Sequence, residues 1–379
     1  MGKSLKILIM NFEYPPRCGG AGNATHYLLR EFSKINNVEA DLVTSSDNNK
    51  FEIELPWKGV RIYRLAIGKS GGHGKLWSQK EIIEYAFKSY FFAKNLIKGN
   101  KYDICHAFFT VPSGFVAFLL KNKIPYIVSL RGSDVPGYSK RFEFQYILLK
   151  PLIRTIWKNA SFVIANSEGL KKLALKTSRK QKMIVIPNGV DTSTFKPHHK
   201  LPRKQVLICV SRLIRRKGID FLIRTAKELS KMEGNFEFLI VGDGPERELL
   251  EKLVLELGLE NKIKFKGRVP HDKLNRYYNK ASIYLMASLS EGMSNSCLEA
   301  MASGLPIITT KMPGTDELIK GNGIIVPRDE KIMANAIFKL YSNKHKLRVM
   351  SAKSRKLAEK MRWKGVANLY LKIYQKASD

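Results

Sequence analysis

Two glutamates eight positions apart, Glu291 and Glu299, are the residues whose type and setting point most directly to chemistry. They follow a short apolar run, Ile283 to Met286, and precede a Gly and a Pro that would end a helix. This order predicts a buried parallel strand, a loop that holds Glu291, and a helix that holds Glu299 about one turn inside. In open α/β sheets, ligands bind beyond the carboxyl ends of strands, where a helix start directs backbone N–H groups at an anion. We therefore expect an anion site in segment 287–306.

The predicted start of that helix lies at Ser294, Asn295 and Ser296, and its backbone would face a phosphate. Carboxylates are poor phosphate ligands, but they accept hydrogen bonds well from sugar hydroxyls. A phosphate flanked by hydroxyl-rich groups on both sides therefore fits two nearby glutamates best. A nucleotide sugar has this composition.

Two cations, Arg212 and Lys217, follow another apolar run, Gln205 to Val210, in a segment that ends at Gly218. Fixed cations at the carboxyl end of a strand suit a diphosphate, because they stabilise the charge that develops as a nucleotide leaves. Taken alone, such residues are more often solvated loop charges, and that alternative stays open. The sequence has no Asp-x-Asp pair, so we expect no divalent metal ion and no cofactor beyond the sugar donor.

The composition restricts the class of partner without selecting one. The chain carries 66 basic and 33 acidic residues, a net charge of +33 spread over both halves, which suits nucleic acid, anionic lipid or phosphorylated substrates. No apolar run approaches the roughly 20 residues that span a bilayer, and the start has no apolar stretch of secretory length. The four cysteines have neither paired nor metal-type spacing. We expect a reduced, cytoplasmic protein, with peripheral contact to the inner face of the cell membrane left open.

Apolar runs of strand length alternate with helical patterns along the chain, which predicts mostly parallel sheets with helices on both faces. At 379 residues the chain suits two such α/β domains rather than one. Residues 196–204, with two prolines and no apolar period, form the predicted linker. We place the first domain at 1–198, the second at 204–360, and a final helix at 361–379 that crosses back to the first domain.

Nine sequence blocks occur in a fixed order along the chain. They are CGGAGNATHYL, DICHAFFTVPSG, RGSD, IANSEGLKK, VIPNGVD, SRLIRRKG, VGDGPER, FKGRV and SEGMSNSCLEAMASGLPII. With these blocks the chain resembles the retaining glycosyltransferases of family four, the large group that includes bacterial mannosyl- and glucosyltransferases. The resemblance implies the GT-B fold, in which two Rossmann-like domains face each other across a cleft. It also implies transfer of a sugar from a UDP- or GDP-linked donor to a hydroxyl acceptor, with retention of the anomeric configuration.

The resemblance implies roles for residues at matching positions of the second domain. Arg212 and Lys217 match the pair that grips the donor diphosphate. Glu299 matches the glutamate that takes the ribose hydroxyls, and Glu291 matches the one beside the transferred sugar. The turn at 267–269 matches one that reads the nucleobase through its backbone. The implied donor-binding residues are Gly19, Gly20, Arg212, Lys217, Gly267, Arg268, Val269, Glu291, Met293, Ser294, Asn295 and Glu299.

In the first domain, Gly19 and Gly20 match a glycine pair that lets the donor phosphate and the acceptor approach the backbone. His106 matches a histidine at the cleft wall near the reacting sugar, although a satisfied core histidine is the alternative. Arg131 and Asp134 lie on the acceptor side, and Arg131 stands where many relatives have a histidine, so the acceptor is not implied. The implied catalytic residues are His106, Glu291, Arg212 and Lys217.

One helical stretch of the first domain combines basic and aromatic residues. In YSKRFEFQYILLKPLIRTIWK, Lys150, Arg154 and Lys158 recur at helical spacing beside an apolar stripe. The stripe consists of Phe142, Tyr146, Leu149, Ile153 and Trp157. Such a surface can lie on an anionic membrane, or the stripe can face the core of a helix whose solvent face is basic.

We therefore expect a glycosyltransferase whose acceptor is a lipid-linked saccharide, or a precursor of a cell-surface polysaccharide or glycolipid. The alternatives are a nucleotide-sugar hydrolase or sugar-phosphate synthase on the same fold, an inactive scaffold, and a basic nucleic-acid-binding module. The aromatic residues fall mostly in apolar periods rather than on an exposed basic sheet face. We therefore expect no specific contact with nucleic acid.

Overall fold

The chain folds into two α/β units. The computed structural model describes residues 4–16, 19–67, 77–138, 143–198, 205–232 and 235–378. One compact unit comprises Met1–Asn188 together with Trp363–Asp379, and the other comprises Gly189–Arg362.

The division between the units differs from the predicted one. The chain changes unit after Asn188, earlier than the predicted end of the first domain at 198. Val190 donates a backbone hydrogen bond to Met361 at 2.8 Å and forms an isolated bridge with Arg362, which attaches this segment to the second unit. Of the predicted linker, residues 199–204 lie outside the described residues.

The first unit is built on one sheet whose strands are joined by helices. Its strands are β1 Leu5–Met10, β2 Val38–Ser45, β3 Glu52–Trp57, β4 Val60–Leu65, β5 Ile104–Phe108, β6 Tyr126–Leu130, β7 Phe162–Ala165 and β8 Met183–Val185. Its helices up to β8 are α1 Gly20–Phe32, α2 Gln79–Gly99, α3 Phe115–Leu119, α4 Glu143–Asn159 and α5 Glu168–Leu175. The strand order is β3-β4-β2-β1-β5-β6-β7-β8, and the pairings are parallel except that β3 runs antiparallel to β4.

The second unit has one fully parallel sheet among the described residues. Its strands are β9 Val206–Val210, β10 Glu237–Val241, β11 Ile263–Phe265, β12 Ile283–Met286, β13 Ile307–Thr310 and β14 Gly323–Val326. Its helices are α6 Ile219–Ser230, α7 Arg247–Glu256, α8 Leu274–Tyr278, α9 Asn295–Ala302, α10 Thr315–Leu318, α11 Glu330–Ser342 and α12 Lys344–Lys360. A last helix, α13 Trp363–Ser378, returns to the first unit.

The strand order of the second sheet, β11-β10-β9-β12-β13-β14, is the order of dinucleotide-binding folds. Successive strands are added on one side of β9 and then, from β12 onward, on its other side. Ligands in such sheets bind beyond the carboxyl ends of the two strands where the direction changes. A ligand site is therefore expected at the segments that follow β9 and β12.

Side-chain alternation along β9 explains why its sequence is apolar throughout. Leu207 and Cys209 pack into one apolar core, whereas Ile208 and Val210 pack into another on the opposite face. Because helices cover both faces of a parallel sheet, every residue of a central strand is buried. The sheet can then hold the loops at its carboxyl edge in a fixed position.

Aromatic side chains attach α13 to the first unit. The rings of Tyr27 and Trp363 stack with their centroids 5.5 Å apart. Phe32 meets Tyr374 edge to face at 5.9 Å, and Tyr374 is fully buried. The helix begins at Trp363, close to the predicted start at 361.

The predicted membrane stripe on α4 is wrong in most of its residues. Tyr146, Ile153 and Trp157 are buried within the first unit, as the core-facing alternative requires. Phe142 lies outside the described residues. The apolar residues that α4 exposes are instead Phe144, Ile147 and Leu148.

Candidate functional site

The loops after β9 and β12 carry the two sets of charged residues that the sequence singles out. The strands are direct neighbours in the sheet, so their carboxyl ends lie side by side. Arg212 and Lys217 follow β9, and Glu291 follows β12. The sheet therefore brings a cationic loop and an acidic loop together at the point where the strand order changes direction.

Close backbone contacts fasten these loops to each other. Leu289 donates a backbone hydrogen bond to the Arg216 carbonyl at 2.8 Å. Gly218 has a φ of +63°, and a Cβ atom there would lie 2.3 Å from the Ala287 carbonyl oxygen. The guanidinium of Arg328 donates to that same oxygen at 2.7 Å. Only glycine allows this approach, which places the residues before Gly218 against the loop of Glu291.

Glu291 is held by cations in a largely buried position. The Lys217 ammonium forms an ion pair with its Oε1, and the Arg216 guanidinium lies 3.5 Å from its Oε2. The Ser288 hydroxyl donates to Oε1 at 2.8 Å. Burial alone raises the pKa of a carboxyl group, but Lys217, Arg216 and Ser288 outweigh it and lower the pKa of Glu291. The carboxylate is therefore ionised at neutral pH, and two cations face one anion.

Arg212 differs from Lys217 in its surroundings. Its side chain is exposed and forms no ion pair or hydrogen bond with the residues that the structure describes. The second cation at Glu291 is Arg216, which we did not predict. In the run Arg215, Arg216, Lys217, the sequence alone gives no sign of which side chains turn inward.

Helix α9 begins where the sequence predicts. Ser294 is its N-cap and accepts a hydrogen bond from the backbone of Cys297 at 3.3 Å. Met293 and Ser294 are buried, and Asn295 is the first helical residue. The predicted placement of Glu291 in the loop and Glu299 about one turn inside the helix is confirmed.

Glu299 is a buried carboxylate with both oxygens hydrogen-bonded. Its Oε1 is 2.9 Å from Nε2 of His271, and its Oε2 accepts from the Tyr278 hydroxyl at 2.9 Å. Burial lowers the pKa of a histidine, but the hydrogen bond and charge of Glu299 raise that of His271. We did not predict either partner. Their only signal is position, because His271 lies two residues after the predicted base-reading turn and Tyr278 ends the next helix.

The predicted base-reading turn has the conformation that its glycine permits. Gly267 has a φ of +63°, and its carbonyl accepts a hydrogen bond from Gly242 at 2.8 Å. Arg268 is exposed, and Val269 is half-buried. The predicted contact of this turn with a base stays a prediction.

The glycine pair of the first unit lies at the start of α1. Gly19 is the N-cap and Gly20 the first helical residue. The Gly19 backbone donates to Glu13 Oε2 at 3.2 Å. A carboxylate therefore occupies part of the helix start that we predict to approach the donor phosphate.

Asp134 and Arg131 brace the loops at the carboxyl edge of the first sheet. Asp134 accepts from the backbone of Arg131 at 2.9 Å and from that of Thr110 at 2.8 Å. The Arg131 guanidinium donates to the Asn188 side chain at 2.8 Å and lies over the Phe108 ring. These contacts give both residues a positioning role. Their predicted contact with an acceptor stays a prediction.

The catalytic role predicted for His106 does not fit its position. His106 is fully buried, with Nδ1 2.7 Å from the Tyr374 hydroxyl and Nε2 2.7 Å from the Ser129 hydroxyl. Both nitrogens thus have partners inside the core, and a reacting sugar could reach neither without breaking the packing. The alternative of a satisfied core histidine describes it better, and we do not retain it as catalytic.

The described residues contain neither a candidate metal site nor a helix suited to span a membrane. No group of three or more His, Cys, Asp or Glu side chains there could hold a metal ion. None of the helices in this part of the chain is both long and apolar enough to cross a bilayer.

The sequence matches two family models that together span most of the chain. Residues 18–194 match Glycosyltransferase Family 4, and residues 191–357 match Glycosyl transferases group 1. One component of the Arabidopsis thaliana phosphatidylinositol N-acetylglucosaminyltransferase is 29% identical over 350 residues, covering 89% of this chain and 74% of that protein.

Two solved structures share the fold at lower identity. Sucrose-phosphate synthase from Thermosynechococcus elongatus has a TM-score of 0.84 and 22% identity, covering 98% of both chains. Anabaena HepE in complex with UDP and glucose has a TM-score of 0.74 and 18% identity, covering 98% of this chain and 100% of that one. These likenesses define an α/β protein of the GT-B class, as predicted. With the two family matches, the chain belongs to the group 1 glycosyltransferases, and its prediction as a glycosyltransferase enzyme is confirmed.

The burial of His106 predicts an effect on stability. We expect His106→Ala to lower the free energy of unfolding, followed in urea, by about 2–4 kcal/mol, because it leaves a cavity and removes a hydrogen-bond partner from the Tyr374 and Ser129 hydroxyls. Tyr374→Phe, which removes one of those hydroxyls, should cost only about 1 kcal/mol. Nucleoside diphosphate affinity should stay within about twofold of wild type for both variants, since the site residues lie elsewhere.

The same histidine predicts a pH dependence. Burial, and then the charge of Arg131, lower the pKa of His106 well below its ordinary value of 6.5. The unfolded chain therefore takes up a proton as the pH falls below that value, while the folded chain does not. Neutral His106 therefore makes its full contribution to the free energy of unfolding above pH 6.5, and this contribution is lost as the pH falls. The variant His106→Ala should lose less stability between about pH 7 and pH 5 than wild type does. An equal loss in both proteins would contradict this assignment.

The contact at Gly218 predicts a second effect. Gly218→Ala should lower the thermal midpoint clearly more than Gly258→Ala, because both have similar positive φ values but only the first places a Cβ against backbone. We expect about 1 kcal/mol for the Gly258 control and at least about 2 kcal/mol more for Gly218. Equal losses would show that the two loops separate without cost.

Proposed function

We propose that the chain transfers a sugar from a nucleoside-diphosphate sugar, UDP- or GDP-linked, to a hydroxyl acceptor with retention of configuration. The observation that carries this proposal is the pairing of Lys217 and Arg216 with ionised Glu291. This pairing lies beyond the carboxyl ends of β9 and β12, where the strand order changes direction. Two cations against one carboxylate leave positive charge that a diphosphate can neutralise. The start of α9, in the loop that follows Glu291, supplies backbone dipoles with the same preference.

The proposed reaction exchanges one bond at the anomeric carbon for another. The bond from that carbon to the β-phosphate oxygen breaks, and the acceptor oxygen bonds to the carbon from the same face. The departing diphosphate takes the acceptor proton, so no protein nucleophile takes part. Lys217 and Arg212 would stabilise the charge on the leaving group, and Glu291 would stand beside the transferred sugar. Most of the rate enhancement would come from positioning and electrostatics.

Ion pairing gives Glu291 a further task in this proposal. Its carboxylate holds the Lys217 ammonium in place before the donor arrives. A lysine side chain fixed in this way loses little conformational entropy when the diphosphate binds. The cation is therefore positioned in advance, which is the property that electrostatic catalysis requires.

The named relatives support particular donors and acceptors. One solved neighbour is a complex with UDP and glucose, and one relative is named for transfer of N-acetylglucosamine to phosphatidylinositol. We therefore place UDP-sugars first among donors, and a lipid-linked saccharide or a glycolipid or cell-surface polysaccharide precursor first among acceptors. The likeness to sucrose-phosphate synthase favours a second candidate, transfer to a sugar phosphate, with the same donor chemistry.

The first unit exposes an apolar surface that suits a lipid acceptor. On α2, Ile83, Phe87 and Phe91 recur every four residues and are exposed. Side chains of β3 and of the residue before it extend this face, and the Phe51 ring lies 5.7 Å from that of Phe92. The exposed apolar residues along this strand are Phe51, Ile53 and Leu55.

A second exposed apolar face belongs to the same helical layer. Helix α3 packs against both α2 and α4. It exposes Leu119, and α4 exposes Phe144, Ile147 and Leu148. Exposed apolar side chains grouped on one helical layer are typical of surfaces that bind another molecule.

The charges around α2 and β3 favour an anionic membrane as that molecule. Two acidic residues here are already paired within the unit, since Glu84 lies 2.7 Å from Lys88 and Glu54 lies 2.5 Å from Arg64. Exposed lysines flank the apolar residues, at Lys50, Lys58, Lys80 and Lys98. Aromatic side chains beside lysines bind the interface of anionic lipid by combining burial with charge attraction. We propose that this surface holds the enzyme against the membrane that carries its acceptor.

Vesicle binding tests the membrane part of the proposal. The double variant Phe87→Ser/Phe91→Ser should bind vesicles of phosphatidylcholine with phosphatidylglycerol at least about tenfold more weakly than wild type. The control is Leu249→Ser/Leu255→Ser, which removes two exposed leucines of α7 in the second unit and should bind as wild type does. Equal binding by all three proteins would contradict the assignment. A change from dimer to monomer without loss of vesicle binding would assign the surface to a second copy of the chain.

Substitution of Lys217 tests the chemical part. Lys217→Ala should reduce sugar transfer by at least about 100-fold and weaken nucleoside diphosphate binding, because a partly buried cation at the leaving group is lost. The matched control is Lys231→Ala, which removes an exposed lysine of the same unit and should leave transfer unchanged. The measurements are transfer from a panel of UDP- and GDP-sugars with lipid or sugar phosphate acceptors, and the thermal midpoint to confirm folding. Transfer near the wild-type rate in Lys217→Ala would refute the role given to this cation.

A further inference from the structure

The carboxylate of Glu299 is held by two side chains from outside its own helix. His271 lies in a short turn that follows Pro270, and Tyr278 ends α8. Each contacts a different carboxylate oxygen, at 2.9 Å in both cases. The carboxylate is therefore fixed at both ends, in position and in rotation about its last bond.

This pattern leaves the carboxylate with a defined set of open acceptor directions. A carboxylate oxygen has two lone pairs, and each oxygen of Glu299 here uses one of them. One acceptor direction stays open on each oxygen. Two neighbouring hydroxyls of a cis-diol, as in the ribose of a nucleotide, require one acceptor each. The arrangement therefore matches a diol held by two hydrogen bonds.

The side chain of His271 is more exposed than that of Glu299. About a third of its side chain is exposed, against a tenth of that of Glu299, so the ring stands between the carboxylate and solvent. The buried ring of Phe195 meets the imidazole edge to face at 5.1 Å and limits its rotation. Tyr278, which packs against the same Phe195 ring, is fully buried.

The charges around the imidazole favour its role as a donor. The acidic groups that act on it are Glu299, Asp191 and Asp272, and the phenol of Tyr278 shares the carboxylate. Together the acids outweigh burial and raise the pKa of His271. Nε2 therefore carries a proton toward Glu299 in the charged ring and in the corresponding neutral tautomer.

We infer that His271 is a positioning residue for recognition of the nucleotide ribose, acting through Glu299 with Tyr278 as its buried counterpart. This inference rests on the proposed function, because it assumes a nucleoside diphosphate in the site. It adds a residue that touches the carboxylate, not the reacting atoms. The contact of Glu299 with the ribose hydroxyls belongs to the proposed function; the new element is that His271 strengthens binding of nucleotides with both hydroxyls over those that lack them.

A ligand-and-variant cycle tests the inference. Dissociation constants are measured for UDP and GDP, for their 2′,3′-dideoxy forms, and for pyrophosphate, with wild type and His271→Ala. Wild type should bind the ribose form of its nucleotide about tenfold or more tightly than the dideoxy form. His271→Ala should lose about tenfold for the ribose form, yet stay within about twofold for the dideoxy form and for pyrophosphate.

Two further variants separate positioning from a general structural effect. His271→Gln keeps an N–H near the place of Nε2 and should restore most of the ribose affinity. His345→Ala, at an exposed histidine of α12, should match wild type in every assay. In transfer assays, His271→Ala should raise the KM for the donor by about tenfold while kcat changes less than about threefold.

Each outcome decides a separate question. Equal weakening of ribose and dideoxy forms in His271→Ala would show a merely structural role and overturn the inference, as would unchanged affinity for both. Wild type that binds neither nucleotide would overturn the proposed function itself, together with the inference. Wild type that binds nucleotide without preferring ribose would leave the proposed function standing and remove only the role of Glu299 and His271.

Discussion

The backbone contact between the loops after β9 and β12 is the constraint on which the site depends. At Gly218 the chain passes so close to the Ala287 carbonyl that no side chain fits. Without that approach, the Lys217 ammonium could not reach Glu291 across the two loops. The Arg328 guanidinium, which donates to the same carbonyl, satisfies a group that would otherwise lose water when the loops close. A contact made by backbone atoms thus determines where a partly buried charge pair can form.

The sequence predicts this region well where local pattern and chain order decide the structure. Glu291 in a loop and Glu299 inside a helix follow from an apolar strand, a polar segment and a helix-ending glycine, and the structure confirms both. The fold class follows in the same way from alternating strands and helices. Such features depend on residues close together in sequence or on the order of whole elements, and both can be read without coordinates.

The rest could not be predicted, because it depends on which way single side chains point. Arg215 and Arg216 are adjacent and of the same type, yet only Arg216 pairs with Glu291, since the 3₁₀ turn directs neighbours in different directions. His106 illustrates the same limit in a strand. Its partners Ser129 and Tyr374 come from distant parts of the chain, so nothing in its own segment reveals that both ring nitrogens are satisfied.

Glu291 and Glu299 show how surroundings assign different tasks to the same residue type. Glu291 faces two cations, which lower its pKa and leave the pair of loops with surplus positive charge. Glu299 faces an imidazole and a phenol, and each of these groups makes a hydrogen bond with one of its oxygens. The surroundings of Glu291 suit a phosphate nearby, because two cations against one carboxylate leave net positive charge. Those of Glu299 suit uncharged hydroxyls, because a fixed carboxylate with open lone pairs accepts hydrogen bonds and repels phosphate. A ligand with phosphates at one end and a cis-diol at the other satisfies both environments at once, and neither glutamate could replace the other.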